Sequence, residues 1–116
     1  MKEVNRKIFN DIKRFTIDKA AVEESDIAEE TALQTDLGIY GDDAIEYIIA
    51  FGKEFNVDVS NFMAADYFSS EGGFKLPPGI IKLFGIKKKP RKKEITIMHL
   101  IKAVIAARLD EEVINS

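Results

Sequence analysis

Four carboxylates in the middle of the chain are spaced closely enough to suggest joint chemistry: Asp36, then Asp42, Asp43 and Glu46. Three uses can be tested on spacing alone. A calcium loop counted from Asp36 puts Gly41 at the sixth position, where a glycine is needed. Its third, fifth and twelfth positions are then Gly38, Tyr40 and Tyr47, where the loop requires oxygen ligands, so this use fails. Asp42 and Asp43 also fail as a catalytic pair. Neighbouring residues on a helix point ~100° apart, and nothing else in the sequence completes a site. Two readings remain. Asp42, Asp43 and Glu46 complement the positive end of a helix, or they form a surface on which a basic partner docks.

The other chemistry-bearing residues are few. Cysteine is absent, which removes disulfides, thiolate metal sites and cysteine nucleophiles. His99 is the single histidine, flanked by Met98 and Leu100, and it reads as a surface or core-edge residue without partners for a metal. Lys87, Lys88, Lys89, Arg91, Lys92 and Lys93 make a run of six basic residues interrupted only by Pro90. Just before it come Ile80, Ile81, Leu83, Phe84 and Ile86. In the simplest reading these apolar residues pack on the rest of the protein and the lysines are solvated. Three others stay open: the run folds back on the acidic helix, an apolar anchor with a basic tail sits on an anionic membrane, or the run binds nucleic acid. The aromatic interleaving usual in single-strand readers is missing.

These groups must be held by a chain of 116 residues, 46% apolar, which is enough for one core and too rich for disorder throughout. The net charge of −3 conceals an asymmetry. Residues 23–66 hold twelve acids and one base, Lys53, whereas residues 74–93 hold eight bases and no acid. One surface should attract basic partners and another acidic ones. No stretch approaches the ~20 apolar residues of a membrane-spanning helix, and the N-terminus carries Lys2, Glu3, Arg6 and Lys7 without the apolar h-region of a secretory leader. A soluble, cytoplasmic protein is expected.

Hydrophobic spacing predicts the elements. Val4, Ile8, Ile12 and Phe15 predict a first helix over 3–16, and weak periodicity predicts a long loop over 17–40 with room for one helical turn. Ile45, Ile48, Ile49, Phe51 and Phe55 predict a second helix over 42–55, capped by Asp42. A short third helix is predicted over 61–68, with Phe62, Ala65 and Phe68 inward. Residues 69–93 break the pattern with Gly72-Gly73 and Pro77-Pro78-Gly79. Thr96 should cap a last helix over 97–109, with Met98, Ile101, Val104, Ile105 and Leu109 on its core face. Four helices without a clear strand predict an all-α bundle.

The segment Asp36-Leu37-Gly38-Ile39-Tyr40-Gly41-Asp42-Asp43-Ala44-Ile45-Glu46 resembles the signature of acyl carrier proteins. There, Asp-Leu-Gly is followed two residues later by the serine that carries phosphopantetheine, and then by an acidic helix. Lys53-Glu54-Phe55-Asn56-Val57-Asp58-Val59 resembles the end of that helix in the family, and Ile95-Thr96-Ile97-Met98-His99-Leu100 the start of its last helix. The likeness covers about 1–68 and 94–110 and skips 69–93, which ordinary carriers lack. By the same count Gly41 stands at the serine's position and offers no hydroxyl. Ser25, Ser60, Ser69, Ser70 and Ser116 all lie outside the motif. The sequence is thereby similar to an acyl-carrier-like family of unknown function from enteric bacteria, with Gly-Asp-Asp at this point and an insertion before the last helix.

The resemblance implies an all-α, acyl-carrier-like four-helix bundle in one domain, 1–116, with an insertion at about 69–93. It also implies partner docking through Asp36, Asp42, Asp43 and Glu46 toward a basic protein surface. The expectation is a non-enzymatic interaction module with no catalytic residue, metal, phosphopantetheine or other cofactor. Two alternatives stay open: an acyl or peptidyl carrier with another attachment site, and a peripheral membrane or nucleic-acid binder acting through the basic insertion.

Overall fold

The structure is a computed structural model, described here over residues 2–62, 67 and 94–116. Four α-helices occupy these residues: α1 (Lys2–Ala20), α2 (Gly41–Phe55), α3 (Ile97–Ala106) and α4 (Glu111–Ile114). No strand occurs among the described residues. Two isolated bridges join Ala32 to Thr96 and Asp58 to Arg108. The described residues form the expected all-α bundle. The third helix expected over 61–68 and the insertion 69–93 fall, apart from Asn61, Phe62 and Tyr67, outside the described residues.

α1 runs four residues beyond the expected end at Phe15–Thr16. The pair Thr16-Ile17 is β-branched and weakens the local helical signal. Packing overrides it. Thr16 is fully buried, its hydroxyl donates to the Ile12 carbonyl at 2.8 Å, and it lies 2.7 Å from the Tyr47 hydroxyl on α2. The helix stops at Ala21, whose φ of 54° is left-handed. Ile12 and Phe15 enter the core as expected, Ile8 is half-buried, and Val4 is 55% exposed because the core ends before the helix's first turn.

The long connection to α2 is packed rather than slack. It contains a 3-10 turn at Glu24–Asp26 and buries Ile27, Leu33 and Ile39. Buried Thr31 ties the turn together by accepting from the Ala28 amide at 2.8 Å and donating to the Asp26 carbonyl at 3.2 Å.

In α2, Ala44, Ile45, Tyr47, Ile48 and Phe51 are buried, and Ile49 and Phe55 are half-buried. The expected stripe is therefore right at its centre, with Ala44 and Tyr47 added. Phe15, Tyr47, Phe51 and Phe55 form an aromatic cluster with ring centres 5.2–6.3 Å apart. The N-cap is Tyr40, not Asp42, because the helix begins a residue earlier, at Gly41. At the other end Asn56 adopts φ 56° and closes the helix onto the Gly52 carbonyl. A Cβ on Gly52 would stand 2.8 Å from the Val57 carbonyl oxygen, so the chain can turn this tightly only over glycine.

Thr96 caps α3 as expected, but the helix ends at Ala106, where Ala107 turns left-handed at φ 64°. Ile97, Leu100, Ile101 and Ala103 are its buried residues. That face lies ~100° from Ile105, which is 55% exposed rather than in the core. Leu109 is fully buried, beyond the helix end, where its amide donates to the Asp58 carbonyl at 2.8 Å. α4 was not expected, although Asp110-Glu111-Glu112 is an N-terminal signal. The Asp110 carboxylate accepts from the Val113 amide at 2.9 Å, and Val113 and Ile114 are buried.

Candidate functional site: the head of the second helix

The head of α2 is assembled by three short-range devices. Asp36 closes the preceding turn, its Oδ2 accepting from the Ala32 amide at 2.8 Å. Gly38 takes φ 72° with nothing near its missing side chain, and the Gly38 and Ile39 amides then donate to the Gln34 and Leu33 carbonyls. Ile39 is thereby buried, and Tyr40, 43% exposed, leads into the helix. Gly41 itself is buried with φ 60°, the region that L side chains enter at a cost. Tyr40 supplies no side-chain cap. Asp42 and Asp43 in the first turn place negative charge where the helix dipole favours it.

The four expected docking residues do not share one role. Asp43 and Glu46 are exposed and border the same cleft, about 310 Å³, between the end of α1 and α2. Leu37, Ile39, Tyr47 and Lys19 line the same cleft. Lys19 was not singled out by sequence. The extension of α1 past residue 16 brings it here, and no local pattern signals that. Asp42 is half-buried on the neighbouring side of the helix. Asp36 is exposed, but one of its oxygens is committed to the turn, so it shapes the loop as well as charging it. The basic residues Lys87, Lys88, Lys89, Arg91, Lys92 and Lys93 lie outside the described residues.

Tyr47, which also lines the cleft, is buried. Burial pushes its phenol far above the ordinary tyrosine value, against a smaller opposing effect of the Thr16 hydroxyl. In the first turn of α3 His99 is half-buried, and its Nδ1 accepts from the Thr96 amide at 3.0 Å. Among the described residues no group of three or more His, Asp or Glu side chains is placed to hold a metal ion. None of the described helices is long and apolar enough to cross a membrane.

Comparison with known proteins places the chain among relatives. The acyl carrier protein of Porphyromonas gingivalis is 32% identical over 66 residues, which are 57% of this chain and 80% of that protein. The acyl carrier protein of a Picosynechococcus species is 30% identical over 61 residues, 53% of this chain and 75% of its own length. No solved structure matches. The family described as Protein of unknown function (DUF1493) matches residues 1–109, and with nearly the whole chain covered the protein belongs to that family, at a distance from the acyl carrier proteins.

Proposed function

We propose that this protein is a non-enzymatic interaction module of acyl-carrier ancestry, working in a bacterial cytoplasm without a prosthetic group. Its docking surface is the head of α2, and its partner presents basic side chains to Asp43 and Glu46, with Asp36 and Asp42 adding to the field. The observation that carries this reading is Gly41. It stands where the motif count puts a carrier's attachment serine, it has no hydroxyl to accept a phosphodiester, and it is buried in a left-handed conformation. Asp43 and Glu46 are exposed on the helix that starts here and border a cleft that Leu37 and Ile39 also line, an arrangement suited to recognition.

Coexpression with a phosphopantetheinyl transferase tests the missing group. The intact mass should equal that of the bare chain, and an added phosphopantetheine would overturn the reading. Docking is tested by affinity capture from the native cell with the wild type and with Asp43→Lys/Glu46→Lys. Reversing both charges should abolish recovery of the wild-type partner. Undiminished recovery places the interface elsewhere.

A further inference from the structure

The cap of α3 is built around a ring nitrogen that must be unprotonated. His99 Nδ1 accepts the Thr96 backbone N–H at 3.0 Å, and the His99 amide returns a bond to the Thr96 hydroxyl at 3.4 Å. This is a reciprocal capping box with histidine where Glu or Gln is usual. Only the neutral imidazole with its proton on Nε2 can play this part. A proton on Nδ1 removes the acceptor, orphans the Thr96 N–H, and puts a positive charge in the first turn of a helix, where the dipole opposes it.

Thr96 is also the centre of a seam. It forms the antiparallel bridge with Ala32. On either side Leu33 donates to the Ile95 carbonyl at 2.9 Å, Ile97 to the Thr31 carbonyl at 3.0 Å and Met98 to the Glu29 carbonyl at 2.8 Å. The Thr35 amide and hydroxyl both donate to Glu94. The loop pinned in this way continues directly into Leu37 and Ile39, which line the α2 cleft.

We infer that the Thr96–His99 box is a pH-sensitive clasp on this seam: neutral His99 holds residues 29–35 against the head of α3, and protonated His99 releases them. Among the described residues the charged groups around the ring are few. Lys102, one turn along α3 with its ammonium on the Ser116 carbonyl, repels a charged imidazole. Glu94 is engaged by Thr35. Glu29, on the facing loop, shares a surface hollow with Arg6 of α1. Burial first, and Lys102 second, hold the imidazole below its ordinary value. The unfolded chain therefore takes up the proton more readily than the folded one. The clasp's contribution is complete above the ordinary histidine value and is lost as pH falls through the folded one.

Because His99 is the only histidine, its imidazole resonances titrate without overlap. The test follows them by NMR in the full chain, alongside amide-exchange protection at Leu33, Thr96, Ile97 and Met98, from neutral pH down to pH ~5. Protection at these four amides should fall roughly tenfold, the range a lost cap commands, in step with the His99 titration. His99→Gln restores a capping-box acceptor that cannot titrate, and its seam should keep its protection across the same range. The inference is overturned if the wild-type seam stays closed after the ring is protonated, or if His99→Gln loses protection with the same pH dependence.

Discussion

The heads of two helices consecutive among those described, α2 and α3, are held by different physics. The head of α2 has no side-chain cap. It is fixed from below, by burial of Gly41, Ala44 and Ile45 and by a turn that Asp36 and Gly38 close before it. The head of α3 is fixed from the side, by the Thr96–His99 box and the bonds of the seam. A helix start secured by burial leaves its first-turn side chains uncommitted to capping, and in α2 Asp43 and Glu46 face solvent. A helix start secured by hydrogen bonds spends those positions on the fold. The difference marks α2 as the head available for recognition and α3 as the one that carries the structure.

The largest effect should come from removing the burial under α2. Ile45→Ala should cost about 2–5 kcal/mol, a large part of the ~5–15 kcal/mol of a small domain, measured by chemical denaturation. A loss below ~0.5 kcal/mol would mean that burial does not hold this head. Gly41→Ala should cost about 1–2 kcal/mol through its left-handed backbone, and Gly41→Asn less, since asparagine tolerates that conformation. Equal losses for the two would point to lack of space instead.

At α3, Thr96→Ala should cost about 1 kcal/mol, the usual value of a lost N-cap. The loss should be accompanied by faster exchange at Leu33 and Ile97 and not at the head of α2. If both heads loosen together, they are one unit and the contrast between them fails. The smallest effects on stability belong to Asp43→Asn and Glu46→Gln, within about ±0.5 kcal/mol by denaturation. Their effect on partner binding should be large at low salt and fade as ionic strength rises.

Much of this was legible in the sequence because it is local. The stripe Ile45, Ile48 and Phe51 follows helical period, and Thr96 before an apolar run is a recognisable start signal. The errors arise where distant parts decide. α1 continues past Thr16 because a hydroxyl on another helix satisfies it. Ile105 faces out because α3 turns its buried face toward Leu100 and Ile101. The cap of α2 moves from Asp42 to Tyr40 because a left-handed glycine, invisible to propensity, begins the helix. At the candidate site the acids were legible as a cluster. Lys19 at the same cleft, and the division of labour that sets Asp36 apart, depend on how the chain folds back.

The hydroxyl pair between Thr16 and Tyr47 sets an alkaline limit on the fold. A phenolate has no place in that enclosure, so the folded protein keeps the Tyr47 proton well past the point at which a free phenol gives it up. The unfolded chain ionises first, and stability should decline as pH rises above about 10, the ordinary tyrosine value. The chain has no tryptophan, so tyrosinate absorbance can be followed cleanly. The Tyr47 share of it should appear together with loss of helical signal, as one cooperative step. In Tyr47→Phe that alkaline step should move to higher pH, leaving a bundle with one proton fewer to lose.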